Sequence, residues 1–227
     1  MRKIIFWDFD GTIAYSNHLW SSSVYKALKE TDINTLVSFD DIREHMSYGF
    51  TWHTPNEDYS NIINDKWWEF MNKHFYNGYI AVGVDSAVAD MAVKKIRKII
   101  KKKENYNLYI DVINTLVVLR EKGIMNVILS NNYPDLEEVI CELNIREYFN
   151  DIIVSAKEGY DKPRREIFDI AKNKYPNSKY YMVGDSVSSD IVGGNKAGMK
   201  TILVHKGYNE LADYCFDDLS SIKGIFE

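Results

Sequence analysis

Along the chain the apolar residues first gather in an unbroken run, Ile4-Ile5-Phe6-Trp7. β-Branched and aromatic residues without alternation fit a strand buried on both faces, as in a parallel sheet. The pattern then turns helical. Leu19, Trp20, Val24, Ala27 and Leu28 space as one face, and Ile42 lies in a short segment after Phe39. Tyr48 to Pro55, with Gly49 and Pro55 inside it, predicts a loop. Ile62, Ile63, Trp67, Phe70 and Met71 space as a further helical face, and Val84 to Ile100 continues the signal. From residue 108 short apolar runs alternate with helical stretches. The spacing predicts helices over 111–122, 134–143, 164–174 and 188–197, and strands over 126–129, 151–154, 180–183 and 201–204. Gly123 and Gly198 stand where helices stop. Strands alternating with helices imply right-handed βαβ units and a parallel sheet, an α/β fold.

Composition narrows the partners more than the fold. A chain of 227 residues has room for one large domain or for a core with an insert. Its formal charge of −5 offers no overall attraction to nucleic acid or to an anionic membrane. The basic stretch Lys94 to Lys103 runs against that balance. Ile96, Ile99 and Ile100 interrupt it and no aromatic residue does, so it reads as the solvated face of an amphipathic helix, not a nucleic-acid surface. Cys141 and Cys215 are isolated, which argues against a disulfide scaffold or a zinc site and for a reducing compartment. The apolar run before Asp8 is too short for a signal-peptide core, and no run approaches the ~18 residues of a membrane span. A cytoplasmic protein without a membrane partner is expected.

Chemistry-bearing residues collect where the predicted elements end. Asp8 and Asp10 follow the first strand, two residues apart and so on one face, with Gly11 breaking the strand behind them. Ser130-Asn131 follows the second strand, Lys162-Pro163 opens a helix, and Gly184-Asp185 follows a third strand with Asp190 behind it. In a parallel sheet these strand ends share one edge, where ligands bind. The set fits a phosphate ligand. An ionised carboxylate can act as a nucleophile. A hard divalent cation must then offset its repulsion from a phosphate dianion, and Asp8 and Asp185 are the candidate ligands. Lys162 and Ser130 would hold the remaining phosphate oxygens, leaving Asp10 to move protons.

In D-F-D-G-T at 8–12, S-N at 130–131, K-P at 162–163 and G-D-x-x-x-x-D at 184–190 the chain resembles the haloacid dehalogenase superfamily, in its phosphatase-like branch. The stretch Ala212 to Leu219 is similar to that family's final strand. The resemblance implies a doubly wound, Rossmann-like core from residues 1–14 and 108–227, and a smaller helical cap from 15–107. It makes Asp8 the nucleophile of an aspartyl-phosphate mechanism and Asp10 the general acid and base. Mg²⁺ would be held by the Asp8 carboxylate, the Asp10 backbone carbonyl and Asp185, with Asp190 ordering the metal's surroundings. Ser130, Asn131 and Lys162 would bind the phosphoryl group. The family's dehalogenases lack an acid at the position of Asp10, so the resemblance implies phosphate-ester chemistry: a Mg²⁺-dependent phosphatase acting on a small phosphorylated metabolite. The rival readings are a sugar phosphomutase, which needs a cap acid or base such as His18, His45 or His53, and a non-catalytic binding module. Tyr15-Ser16 stands where related phosphatases and mutases often carry Asp-Ser, and Arg164-Arg165 follows Lys162-Pro163 where another pair is usual. Within the cap, Trp52 and His53 on the predicted loop are the residues expected to touch substrate.

Overall fold

The opening apolar run forms β1 (Arg2–Trp7), and the computed structural model, which describes residues 1–226, sets it in the middle of a six-stranded sheet. The other strands are β2 (Ala14–Tyr15), β3 (Asn107–Leu108), β4 (Met125–Ser130), β5 (Asp151–Val154), β6 (Ser178–Gly184), β7 (Lys200–Val204) and β8 (Tyr214–Phe216). The sheet runs in the order β5-β4-β1-β6-β7-β8 with every neighbouring pair parallel. Its central place explains why β1 shows no alternation. Ile4 and Phe6 join Val127, Leu129, Ile167 and Phe168 on one face, while Ile5 and Trp7 join Ile128, Leu116 and Leu119 on the other. Trp7 carries one polar atom into that core, and its indole N–H donates to Asn126 Oδ1 at 3.0 Å.

Four helices lie between β2 and β3: α1 (Leu19–Lys29), α2 (Phe39–His45), α3 (Asp65–Ala81) and α4 (Ser86–Ile100). Five more follow: α5 (Val112–Glu121), α6 (Leu136–Glu142), α7 (Ser155–Glu158), α8 (Arg165–Lys174) and α9 (Val192–Lys196). α5 and α6 contribute to the apolar cluster of Ile5 and Trp7, and α8 to that of Ile4 and Phe6. Helices on both faces of a parallel sheet make the doubly wound α/β fold expected from the sequence. β2 and β3 form a separate antiparallel ribbon, with Ala14 opposite Leu108 and Tyr15 opposite Asn107, through which the four-helix segment leaves and rejoins the sheet.

Several boundaries differ from the sequence reading, each for a tertiary reason. Ile62 and Ile63 precede α3 and do not share its face, because the Asn64 N–H donates to the Ala156 carbonyl at 2.9 Å and the helix starts at Asp65. Pro134 lies ahead of α6, which begins at Leu136. The helix expected over 188–197 is divided into a π turn, Val187–Ile191, and the short α9. The ribbon strands and α7 span two to four residues, too few to carry a period. The basic stretch behaves as an amphipathic helix end. Ile96, Ile99 and Ile100 are buried, and Arg97 pairs with Asp135 through Nε and Nη2, both at 2.8 Å. Lys101 adds an ion pair to Glu138 on α6 at 2.8 Å.

Candidate active site

Strand order reverses at β1, with β4 and β5 on one side and β6, β7 and β8 on the other. At such a switch point the connections leave in opposite directions and a crevice opens beyond the carboxyl ends of the strands. Asp8 directly follows β1, Ser130 ends β4 and Asp185 directly follows β6, so parallel register alone brings these three together. A cavity of about 500 Å³ opens there. Asp8, Asp10, Asn131, Lys162, Asp185 and Asp190 line its sheet side, and Leu19, Trp20 and Trp52 come from the four-helix segment.

The nucleophile candidate is tightly held. Asp8 Oδ1 accepts from Ser130 Oγ at 2.9 Å and from Lys162 Nζ at 2.8 Å. The same ammonium donates to Asp190 Oδ1 at 2.6 Å, and Asp190 Oδ2 accepts from the Ser186 N–H at 3.0 Å. Lys162 is 1% exposed. Burial alone would lower its pKa, but the carboxylates of Asp190 and Asp8 more than offset that and raise it, keeping the ammonium charged. Ser130 and Lys162, expected on phosphate oxygens, therefore point at Asp8 itself. Asn131, the third residue expected on the phosphoryl group, is engaged with the protein backbone. Its side chain spans the Lys162 peptide, Oδ1 accepting from the Lys162 N–H at 2.7 Å and Nδ2 donating to the Lys162 carbonyl at 2.9 Å. That pair of hydrogen bonds from the Asn131 amide fixes the backbone from which Lys162 enters the site.

Asp10 stands apart from this ion-pair network. Its Oδ2 accepts from Asn132 Nδ2 at 2.7 Å, while Oδ1 is buried without a protein partner. Burial, reinforced by the nearby charge of Asp8, pushes its pKa from the ordinary 3.8 to about 7. Burial raises Asp185 as well, again with Asp8 adding to the shift, although Lys206 Nζ approaches Asp185 Oδ2 at 3.3 Å. Gly11 makes the crowding possible. Its φ of 83° is a left-handed conformation, and a Cβ there would overlap the Asp185 carboxylate.

These residues fit a hard divalent cation. One carboxylate oxygen from each of Asp8, Asp185 and Asp190 lies within 4.8 Å of the others. Four carboxylates and one ammonium line the cavity, a donor set of oxygens with an excess of negative charge. The carboxyl of Asp10 is outside this cluster and that of Asp190 is inside it. Both oxygens of Asp190 are already engaged, by Lys162 and Ser186, so its role in the cluster is to hold Lys162.

Of the two residues of the four-helix segment expected to touch substrate, Trp52 lines the cavity and stacks on Phe50 at 4.7 Å with an interplanar angle of 10°. His53 does not line it. The His53 ring packs edge-on against Phe50 at 5.6 Å instead. Trp67 and Trp68 are buried in the aromatic interior of the four-helix segment. Among residues given no site role by the sequence reading, Tyr15, Ser16 and Trp20 line the cavity and Asn132 bonds to Asp10; His18, named there only as a possible acid or base of a mutase, lines the cavity as well. Their shared signal was position, immediately behind the first two motifs.

The model of the haloacid dehalogenase-like hydrolase family matches residues 4–204. The chain belongs to that family. Among curated relatives, this haloacid dehalogenase-like hydrolase is 32% identical to the glyceraldehyde 3-phosphate phosphatase of Pyrococcus furiosus over 124 residues, 50% of this chain and 52% of the relative. It is 36% identical to the pyrimidine 5'-nucleotidase YjjG of Escherichia coli over 87 residues, 37% of this chain and 39% of that one. The chain thus spans about half the length, or less, of the curated relatives it matches. Across its whole length it shares the fold of the HAD-hydrolase YfnB of Bacillus subtilis, solved bound to magnesium, with a TM-score of 0.72 at 19% identity, covering 100% of this chain and 99% of that one.

Proposed function

We propose that this hydrolase is a Mg²⁺-dependent phosphatase that cleaves a small phosphorylated metabolite through an aspartyl-phosphate on Asp8. The observation that carries the reading is the pairing of two differently held carboxyls at one cavity wall. Asp8 accepts hydrogen bonds from the Lys162 ammonium and the Ser130 hydroxyl, while Asp10 is held away from that pair with its pKa raised to about 7. Environments that separate two carboxyls in this way divide the work between a nucleophile and an acid–base group. The family membership and the phosphatase names of the relatives above support the same class of reaction.

Asp8 attacks phosphorus, and the bond from phosphorus to the ester oxygen breaks as Asp10 gives that oxygen a proton. The alcohol leaves. Asp10, now a carboxylate, takes a proton from water, and the resulting hydroxide attacks phosphorus to release inorganic phosphate and restore Asp8. Lys162, with Ser130, turns from Asp8 to the phosphoryl oxygens when substrate is bound, held in place by Asn131 and Asp190. Asp8, the Asp10 carbonyl and Asp185 would hold Mg²⁺, whose charge lets a phosphate dianion approach a carboxylate. Residues 15–107 serve as the cap, covering the site so that water is excluded and its charges act at full strength.

The test is phosphate release from a panel of phosphorylated metabolites, in Mg²⁺ and in EDTA, by wild type and by Asp8→Asn. Mg²⁺-dependent release that disappears in Asp8→Asn is the expected result. A folded wild type that releases phosphate from no compound, or an Asp8→Asn variant as active as wild type, would overturn the reading.

A further inference from the structure

We propose that Asn132 is the positioning residue of the general acid, holding Asp10 so that the proton it transfers sits on Oδ1. The inference rests on the phosphatase reading and adds a residue that the four motifs do not contain. Asn132 is 2% exposed and is fixed at three points. Its own N–H donates to Ser155 Oγ at 3.2 Å, at the head of α7. Its side-chain oxygen accepts from the Tyr133 N–H at 2.9 Å. Because that oxygen faces a donor, the amide cannot be turned round, and Nδ2 is the group presented to Asp10 Oδ2, at 2.7 Å.

The consequence lies in which oxygen of Asp10 is free. An N–H directed at Oδ2 is incompatible with a hydroxyl proton on that oxygen pointing back along the same line. Oδ1, which is buried and has no protein partner, is left to carry the proton. In the first half-reaction Asp8 bonds to phosphorus and the ester bond breaks, with its electron pair passing to the leaving oxygen. The proton on Asp10 Oδ1 forms the new O–H bond. The charge left on Asp10 is then shared with Oδ2, where the Asn132 amide stabilises it. Tyr133, next in the chain, links this arrangement to the segment that returns from the four helices. Its hydroxyl lies 2.6 Å from that of Tyr106, and both rings are buried.

A positioning role for the acid is separable from a general structural one by the leaving group. An alkyl phosphate needs its leaving oxygen protonated, whereas p-nitrophenyl phosphate expels a stable phenolate without an acid. The experiment is single-turnover cleavage with enzyme in excess and Mg²⁺ present, comparing glycerol phosphate with p-nitrophenyl phosphate for wild type, Asn132→Ala and Asn132→Asp. The first step alone is read, as alcohol or nitrophenolate release. Both variants are expected to lose roughly 100-fold on the alkyl ester, the lower range for general acid catalysis, and less than about threefold on the aryl ester. Asn132→Asp keeps the acceptor for Tyr133 but removes the donor, so it should not recover the alkyl activity. Equal losses on the two esters, or no loss on either, would overturn the inference while leaving the phosphatase reading intact. A folded wild type that cleaves neither ester would overturn both.

Discussion

The two walls of the cavity are made of different material. On the sheet side the side chains are polar and most are tied down: Asp8, Asp190 and Lys162 form one hydrogen-bonded unit in which Lys162 and Asp190 have almost no exposed surface. On the other side Leu19, Trp20 and Trp52 offer rings and methyl groups backed by further rings, Trp20 lying 4.7 Å from Phe50 and 6.0 Å from Trp67. A low-dielectric network of that kind tolerates almost no substitution, because removing one partner strands the charge of another. An aromatic wall is graded by shape and repacks. The sheet side is therefore where the reaction would be decided, and the helical side where the choice among substrates would be made.

The largest effect expected from breaking the sheet side is Asp8→Asn, which should lower phosphate release by about 10⁴-fold or more in a Mg²⁺ assay, since the nucleophile itself is lost. Next comes the cost of crowding carboxyls without a cation. In EDTA the folded protein holds a proton on Asp10 up to about pH 7, which the unfolded chain gives up near its ordinary 3.8. Folding then takes up a proton between those values, so stability should fall as pH rises through that window, by on the order of a few kcal/mol. Thermal unfolding across pH 4 to 8 checks the sign, and saturating Mg²⁺ should flatten the slope. Gly11→Ala should cost about 2 kcal/mol or more in urea unfolding, combining a strained left-handed backbone with a collision at Asp185, and should weaken Mg²⁺ binding by calorimetry.

On the helical side the effects should be smaller and of another kind. Trp52→Ala is expected to raise KM for the best substrate by roughly tenfold with kcat within about twofold, in line with the loss of one aromatic contact face. His53→Ala should leave KM unchanged, because that ring does not reach the cavity. An equal fall in kcat in Trp52→Ala would erase the contrast between the two walls. The smallest effect belongs to Lys102→Glu with Lys103→Glu, beyond the end of α4. It should shift stability by no more than about 0.5 kcal/mol and leave turnover unaltered at low and high salt.

The sequence made the sheet side readable for a physical reason. A strand buried on both faces writes itself as a continuous apolar run, and a polar residue ending such a run in a parallel sheet has one place to go. Ile4 to Trp7 followed by Asp8, and β6 followed by Asp185, needed no tertiary information beyond that. What the sequence could not carry was pairing. Nothing in the order of residues shows that Asn131 spends its amide on the Lys162 peptide while Asn132 reaches Asp10. Two adjacent asparagines with different partners are alike until the chain is folded. The helical side was harder still. Trp52, Trp67 and Trp68 carry the same chemistry, and only packing separates the ring at the cavity from the rings in the interior. Asn64 and Ala156 show the same limit at an element boundary, where one long-range hydrogen bond decides where α3 begins.

The small ribbon of β2 and β3 has a consequence for how such a protein can change over generations. Tyr15 and Asn107 are paired neighbours, so the segment between them departs and returns through a gap one strand pair wide, about 5 Å. Lengthening a loop closed at so narrow a neck adds little entropic cost, roughly 0.6 kcal/mol for each doubling. The segment can grow, shrink or be exchanged for another without displacing one hydrogen bond of the sheet. Selection can thus act on what enters the cavity as on a cassette, while the residues at the strand ends stay where the register puts them.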